Sequence, residues 1–179
     1  MKGASDRSLF YCRHAIATMQ PAQKTVFKIP ESVLVVIHTA ALDVLLIERA
    51  DKPGYWQSVT GSKDSLDEDP FEAAIRELQE ETGIAVGGAG AHGVPRSALR
   101  DWELSNVYEI YPVWRHRYAP GVTHNTEQVF GVEVPAGMPV VLSPREHVDY
   151  VWLPYREAAD KCFSPSNAEA ILQLPVRMR

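Results

Sequence analysis

The apolar positions of this chain change period along its length, and each change marks an element. Residues 33–37 and 44–47 are apolar throughout and flank the connection Ala40-Ala41-Leu42-Asp43, which predicts two strands buried on both faces. Asp51-Lys52-Pro53-Gly54-Tyr55 has turn chemistry, and residues 56–61 form a short extended stretch ending at Gly61. The period then becomes helical. Phe71, Ala74, Ile75, Leu78 and Thr82 recur at three- and four-residue steps, a stripe suited to packing on a sheet. Asp69 supplies a side-chain acceptor at the start, Pro70 a pre-set first helical position and Glu72 a capping-box acid, and Gly83 supplies the stop.

Residues 108–117 and 126–134 alternate as strands do, with a turn around Pro120-Gly121, and Val151-Trp152-Leu153 predicts a further short strand. Two helices are expected to close the chain, one from Pro154 and one after Ser166, where Glu169 completes a Ser-x-x-Glu cap. Residues 1–24 hold no sustained period and are expected to be an N-terminal extension on which function does not depend. Residues 25–179 are then one domain. Strands before and after a central helix predict an α+β fold, a mixed sheet with helices on its faces.

Composition narrows the class. A chain of 179 residues, 45% hydrophobic and 23% charged, describes one water-soluble domain. Its apolar runs fall far short of the roughly 20 residues a membrane-spanning helix needs, so a cytoplasmic protein with no membrane partner is expected. A net charge of -5 argues against a general nucleic-acid surface, and an anionic ligand would have to be met by a few basic residues or by bound metal. Cys12 and Cys162 fit no metal-ligand or redox spacing and read as independent thiols.

Candidate chemistry lies on the predicted helix. Glu77, Glu80 and Glu81 fall within an arc of about 100° beside the apolar stripe, and two of them occupy the last turn, where the helix dipole disfavours acids. A divalent cation would convert this repulsion into coordination, and oxygen-only ligands suit Mg²⁺ or Mn²⁺. The alternative is a solvated acidic face paired with Arg76.

Gly61, Glu68 and Arg76-Glu77-Leu78-Gln79-Glu80-Glu81-Thr82-Gly83-Ile84 together resemble the Nudix box, the signature of the Nudix hydrolases. The resemblance implies a Nudix-type α/β/α sandwich and metal-dependent hydrolysis of a phosphoanhydride bond in a small-molecule triphosphate. It implies Glu77 and Glu81 as metal ligands, Glu80 as a ligand or a base acting through water, and Arg76 as the residue that orients the glutamates. Gly61 would admit close approach of the backbone to the metals, or simply serve a turn. One departure stands out: six residues separate Gly61 from Glu68 where the family has five, so the approach loop is expected to be reshaped, with Glu68 or Asp67 in the outer acidic role. Glu146, in a loop after the box, resembles the position of a further ligand or base, with Glu127 its rival; the other reading of Glu127 is an ion pair with Arg115 or Arg117.

A longer resemblance, to the dihydroneopterin triphosphate diphosphatases of bacterial folate synthesis, rests on Trp56-Gln57-Ser58-Val59-Thr60-Gly61-Ser62, on residues 115–127 and on Ser164-Pro165-Ser166-Asn167. It implies removal of pyrophosphate from 7,8-dihydroneopterin triphosphate. Lys28 and Arg49, near the ends of predicted strands, would meet the phosphates, with Thr60 and Ser164 adding hydroxyls. A flat pterin needs an aromatic slot, for which Tyr108 and Tyr111 are candidates. Arg115, His116 and Arg117, alternating in a strand, could not all face one ligand, and His124 and His147 read as surface or hydrogen-bonded residues. Two other functions share these features: pyrophosphohydrolysis of nucleoside or deoxynucleoside triphosphates, and a Nudix-fold module that binds without hydrolysis. Oligomeric state is not legible in the sequence.

Overall fold

A computed structural model describes residues 27–178; the expected extension over residues 1–24 lies outside the described residues. Strand β1 (Glu31–His38) turns at 39–42 into β2 (Asp43–Arg49), and β3 (Trp56–Gln57) and β4 (Val59–Ser62) follow. Helix α1 (Pro70–Thr82) comes next, then β5 (Ala85–Val86), β6 (Gly93–Val94), β7 (Leu99–Glu109), β8 (His124–Glu133) and β9 (His147–Pro154). The chain ends in α2 (Tyr155–Lys161), α3 (Pro165–Leu172) and α4 (Leu174–Arg177).

The sheet runs β3-β2-β1-β8-β7, with β4 pairing β1 and β9 pairing β2. It is mixed: β1 and β8 are parallel, whereas β1 with β4, β2 with β9 and β7 with β8 are antiparallel. The apolar runs of β1 and β2 are buried on both faces because each face carries helices. Val33, Val35 and Ile37 point to α1, where Ala73, Ala74 and Leu78 meet them. Leu34, Val36, Val44 and Leu46 point the other way, to Ala158, Ala159, Ala170, Ile171 and Leu174. This is the expected α/β/α sandwich. No helix among the described residues is long and apolar enough to cross a membrane.

The ends of α1 follow the sequence closely. Asp69 accepts from the Phe71 N–H at 2.8 Å, and Gly83, at φ 73°, donates its N–H to Gln79 O at 3.0 Å. Glu72, however, does not close a capping box; it pairs with Arg96 across the surface.

Two further expectations are corrected. The strand predicted over 108–117 ends at Glu109, and Pro112–Arg117 forms a 3₁₀ turn. Pro112 has no N–H to offer a ladder and its fixed φ suits the start of such a turn, so alternation alone misled. The strand instead extends backward to Leu99, with a bulge between Asp101 and Leu104 where Glu103 takes a positive φ of 51°. The last predicted cap is also displaced: α3 starts at Pro165 with Ser164 at the N-cap, so Ser166 lies inside the first turn and its hydroxyl is free to point elsewhere.

Candidate active site

One cavity of about 710 Å³ opens across the end of the sheet, between the flank of α1 and the start of α3. Lys28, Arg49, Thr60, Gly61, Arg76, Glu77, Glu80, Glu81, Tyr108, Tyr111, Glu146 and Ser164 all line it. Glu68 and Gly83 stand behind it as supports.

Three glutamates on one helix have different surroundings. Glu77 is 8% exposed and Glu81 5%, whereas Glu80 points outward. Arg76 ties the group together: its guanidinium donates to Glu77 Oε1 at 2.8 Å, Glu80 Oε2 at 3.3 Å, Glu68 Oε1 at 3.0 Å and the Ser62 carbonyl at 3.0 Å. A planar fork with five N–H groups can do this where an ammonium could not. The approach loop makes a turn around residues 64–67. Glu68 closes that turn by accepting from the Asp64 N–H at 2.6 Å, while Asp67 is exposed. Hydrogen bonds from Arg76 hold the Glu68 carboxyl below its ordinary range.

Burial pushes the Glu77 carboxyl up to about 7; the Arg76 hydrogen bond opposes this and the Glu81 charge adds to it. Burial also raises Glu81, against the pull of His147 and of the Thr60 N–H, which donates to Glu81 Oε2 at 3.3 Å. Carboxylates crowded in this way lack enough positive charge from the protein, and a hard dication fits them. Glu81, Glu146 and His147 each bring one ligand atom within 4.8 Å of the others and form a group able to hold a metal ion. Glu146 thus lies near Glu81, in the loop before β9. Of the two readings of His147, surface or hydrogen-bonded, the structure excludes the first: it is 3% exposed with Nε2 3.2 Å from Glu81 Oε1. Only the pairing of β9 with β2 carries it there.

The phosphate candidates are less alike than they looked. Arg49 is already engaged by both oxygens of Asp51 at 2.9 Å and by Gln57 Oε1 at 3.3 Å. The Lys28 ammonium is pulled below its ordinary range by burial and then by Arg117, with Glu77 and Glu81 acting in the opposite sense. Thr60 Oγ1 accepts from Gln57 Nε2 at 3.0 Å, and Ser164 Oγ lies 3.0 Å from Ser166 Oγ.

Part of the cavity wall is aromatic. Tyr111 meets Trp114 edge to face at 5.4 Å between centroids, Trp114 meets Phe163 at 6.4 Å, and the Arg49 guanidinium sits 5.4 Å from the Trp114 centroid. Tyr108 lies deeper, its hydroxyl accepting from Asn125 Nδ2 at 3.1 Å. Trp114 and Phe163 escaped the sequence reading because their partners lie far along the chain. The 3₁₀ turn that replaces the predicted strand is what presents Trp114.

Glu127 contradicts the ion-pair reading. Arg115 pairs with Glu109, and Glu127 is 4% exposed on the cavity floor with Ser166 Oγ at 3.5 Å. Burial pushes its carboxyl up to about 7.

The sequence model of the NUDIX domain matches residues 28–174. A dihydroneopterin triphosphate diphosphatase of Haemophilus influenzae is 40% identical over 154 residues, 86% of this chain and 92% of the relative. One of Escherichia coli K12 is 40% identical over 152 residues, 84% of this chain and 95% of the relative. Among solved structures, the E. coli dihydroneopterin triphosphate pyrophosphohydrolase superposes with a TM-score of 0.73 at 40% identity, covering 84% of this chain and 98% of that one.

Proposed function

The chain belongs to the NUDIX domain family, and from that premise we propose that it hydrolyses 7,8-dihydroneopterin triphosphate to the monophosphate and pyrophosphate, a step of folate synthesis, with Mg²⁺ as its cation. The observation that carries the reading is the 40% identity, over 84–86% of the chain, to enzymes named for that substrate. The cavity supports it independently, since carboxylates and aromatic side chains both line it, the two needs of a pterin triphosphate.

Glu77, Glu81 and Glu146 would hold the cation, and Glu80 stands beside them at the solvent edge. When bound, the cation supplies charge stabilisation to the phosphoryl oxygens and acidifies water. The protein's own part is to position and to balance charge. Arg76 fixes the glutamates; Lys28 offers an ammonium whose charge is costly until an anion arrives. Trp114, Tyr111 and Phe163 offer aromatic contact surface for a flat ring. Glu80, Glu81 and Glu146 are the candidates for accepting the proton of the attacking water, each being a carboxylate beside the place where the phosphates would lie.

The test is pyrophosphate release from dihydroneopterin triphosphate beside the common nucleoside triphosphates, in Mg²⁺ or EDTA. The pterin should have the highest kcat/KM, and EDTA should remove turnover. A preference for a nucleotide would refute the substrate while leaving the metal site in place; equal ligand binding in Mg²⁺ and EDTA without hydrolysis would refute the enzyme.

A further inference from the structure

The floor of the cavity carries polar atoms that the phosphate chemistry does not use. Glu127 on β8 lies opposite Ser32 of β1 and Asn106 of β7, on the sheet face that carries α3. It is buried, and no cation pairs with it among the described residues, an arrangement that costs stability in the free protein. Two residues earlier on the same face, Asn125 donates to Ser32 Oγ at 2.6 Å and to Tyr108 Oη at 3.1 Å, while its Oδ1 is buried without a partner.

Asn167 comes next, one residue beyond the Ser166 that reaches Glu127. It is 1% exposed and lines the cavity. Its Oδ1 accepts the Ser58 N–H at 3.3 Å and the Cys162 thiol at 2.8 Å. A backbone donor leaves no choice about which end of the amide is the oxygen, so Nδ2 is a buried donor, and it has no partner. A buried carboxylate with no cation beside it, reached by Ser166 Oγ only at 3.5 Å, and an amide donor with no partner therefore line one cavity. Buried polar groups in native proteins have partners, and a ligand is the natural source of these.

The complement of that pair is a ring edge with two adjacent donors followed by an acceptor. A 2-amino-4-oxopyrimidine has this edge: the exocyclic amine and the ring N3–H donate, and the 4-oxo group accepts. We propose that Glu127 and Asn167 together read the 2-amino-4-oxopyrimidine edge of the substrate, so that the site selects pterin and guanine triphosphates against adenine, cytosine and uracil ones. The carboxylate takes the amine and N3–H, and the amide donates to the 4-oxo oxygen. This rests on the diphosphatase reading for the existence of turnover, not for the ring selected.

Glu127→Gln and Asn167→Asp test it with little change of volume. The first removes one of the two acceptors; the second keeps the oxygen for Ser58 and replaces the donor with an acceptor that repels the 4-oxo group. Steady-state kinetics of the full chain with dihydroneopterin triphosphate, GTP and ATP give kcat and KM separately, and neopterin, which lacks phosphates, is the binding probe. For each variant the ratio of kcat/KM for the pterin over ATP should fall about 10²-fold, through KM rather than kcat, because a site built around hydrogen bonds discriminates strongly. Neopterin affinity should fall by a similar factor, and GTP should follow the pterin.

A loss of kcat shared by all three triphosphates, with KM unmoved, would overturn the proposal and assign Glu127 to phosphate chemistry. Unmoved ring preference in variants of an active pterin hydrolase would overturn it and leave the substrate reading standing. If the wild type prefers GTP to the pterin and the variants lose GTP over ATP, the substrate reading fails and the ring selection holds. If nothing is hydrolysed, the same fall in neopterin affinity still supports the proposal, and equal affinity refutes it.

Discussion

A Cβ on Gly61 would lie 1.7 Å from Cδ of Glu77 and 1.8 Å from its Oε1, so the glutamate carboxylate occupies the space where a side chain on β4 would be. Glycine is required here by the neighbour and not by the backbone, since Gly61 is absent from the glycines of positive φ. Gly61→Ala should push Glu77 away from Arg76 and from the cavity. The expected result is a loss of kcat of roughly 10²-fold, the scale of a misplaced catalytic geometry, with the circular dichroism spectrum preserved. Wild-type kcat in Gly61→Ala would show that Glu77 tolerates displacement.

Cation binding should stabilise the fold. A ligand at about 100 times its Kd adds about 2.7 kcal/mol, so thermal melting in saturating Mg²⁺ should exceed that in EDTA by several degrees. In Glu81→Gln the increment should shrink and turnover should collapse. An undiminished increment in that variant would move the cation away from Glu77, Glu81 and Glu146.

Trp114 connects the aromatic wall to Arg49. Trp114→Ala removes a large flat contact surface without touching the carboxylates, so KM for the pterin triphosphate should rise about tenfold, on the order of 1 kcal/mol as expected for aromatic contacts, with kcat little altered. A fall in kcat at constant KM would assign Trp114 to alignment instead.

Glu127 should leave a mark on stability against pH. Its folded carboxyl titrates at about 7 because of burial, whereas the unfolded chain releases the proton near 4.5. Between those values the folded state binds more protons, so stability is fullest below about 4.5, falls as pH rises to about 7 and is level above. The loss is on the order of a few kcal/mol. Glu127→Gln has no proton to lose, so its melting temperature should gain on the wild type between pH 5 and pH 8. Parallel curves for the two proteins would mean that the carboxyl ionises freely in the fold.

The acidic helix was legible because every cue for it is local. Asp69, Pro70 and Gly83 mark its ends, the apolar stripe orients it, and Glu77, Glu80 and Glu81 then fall on one flank by helical geometry alone. Where cues compete, local reading failed: alternation over 108–117 outweighed Pro112, and the cap signature at Ser166 outweighed Pro165 one residue earlier.

The sequence by itself determined the two doubly buried strands, the helix with its caps, the crowding of three carboxylates and the family resemblance, since all follow from spacing along one stretch of chain. Which glutamate is buried and which exposed was decided only by tertiary structure, because burial depends on what packs against each flank of α1. The same holds for His147 beside Glu81, for Trp114 against Phe163, and for Glu127 near Ser166. These partners are dozens of residues apart, and only the pairing of β8 with β1 and of β9 with β2, with α3 laid across the sheet, brings them to one cavity.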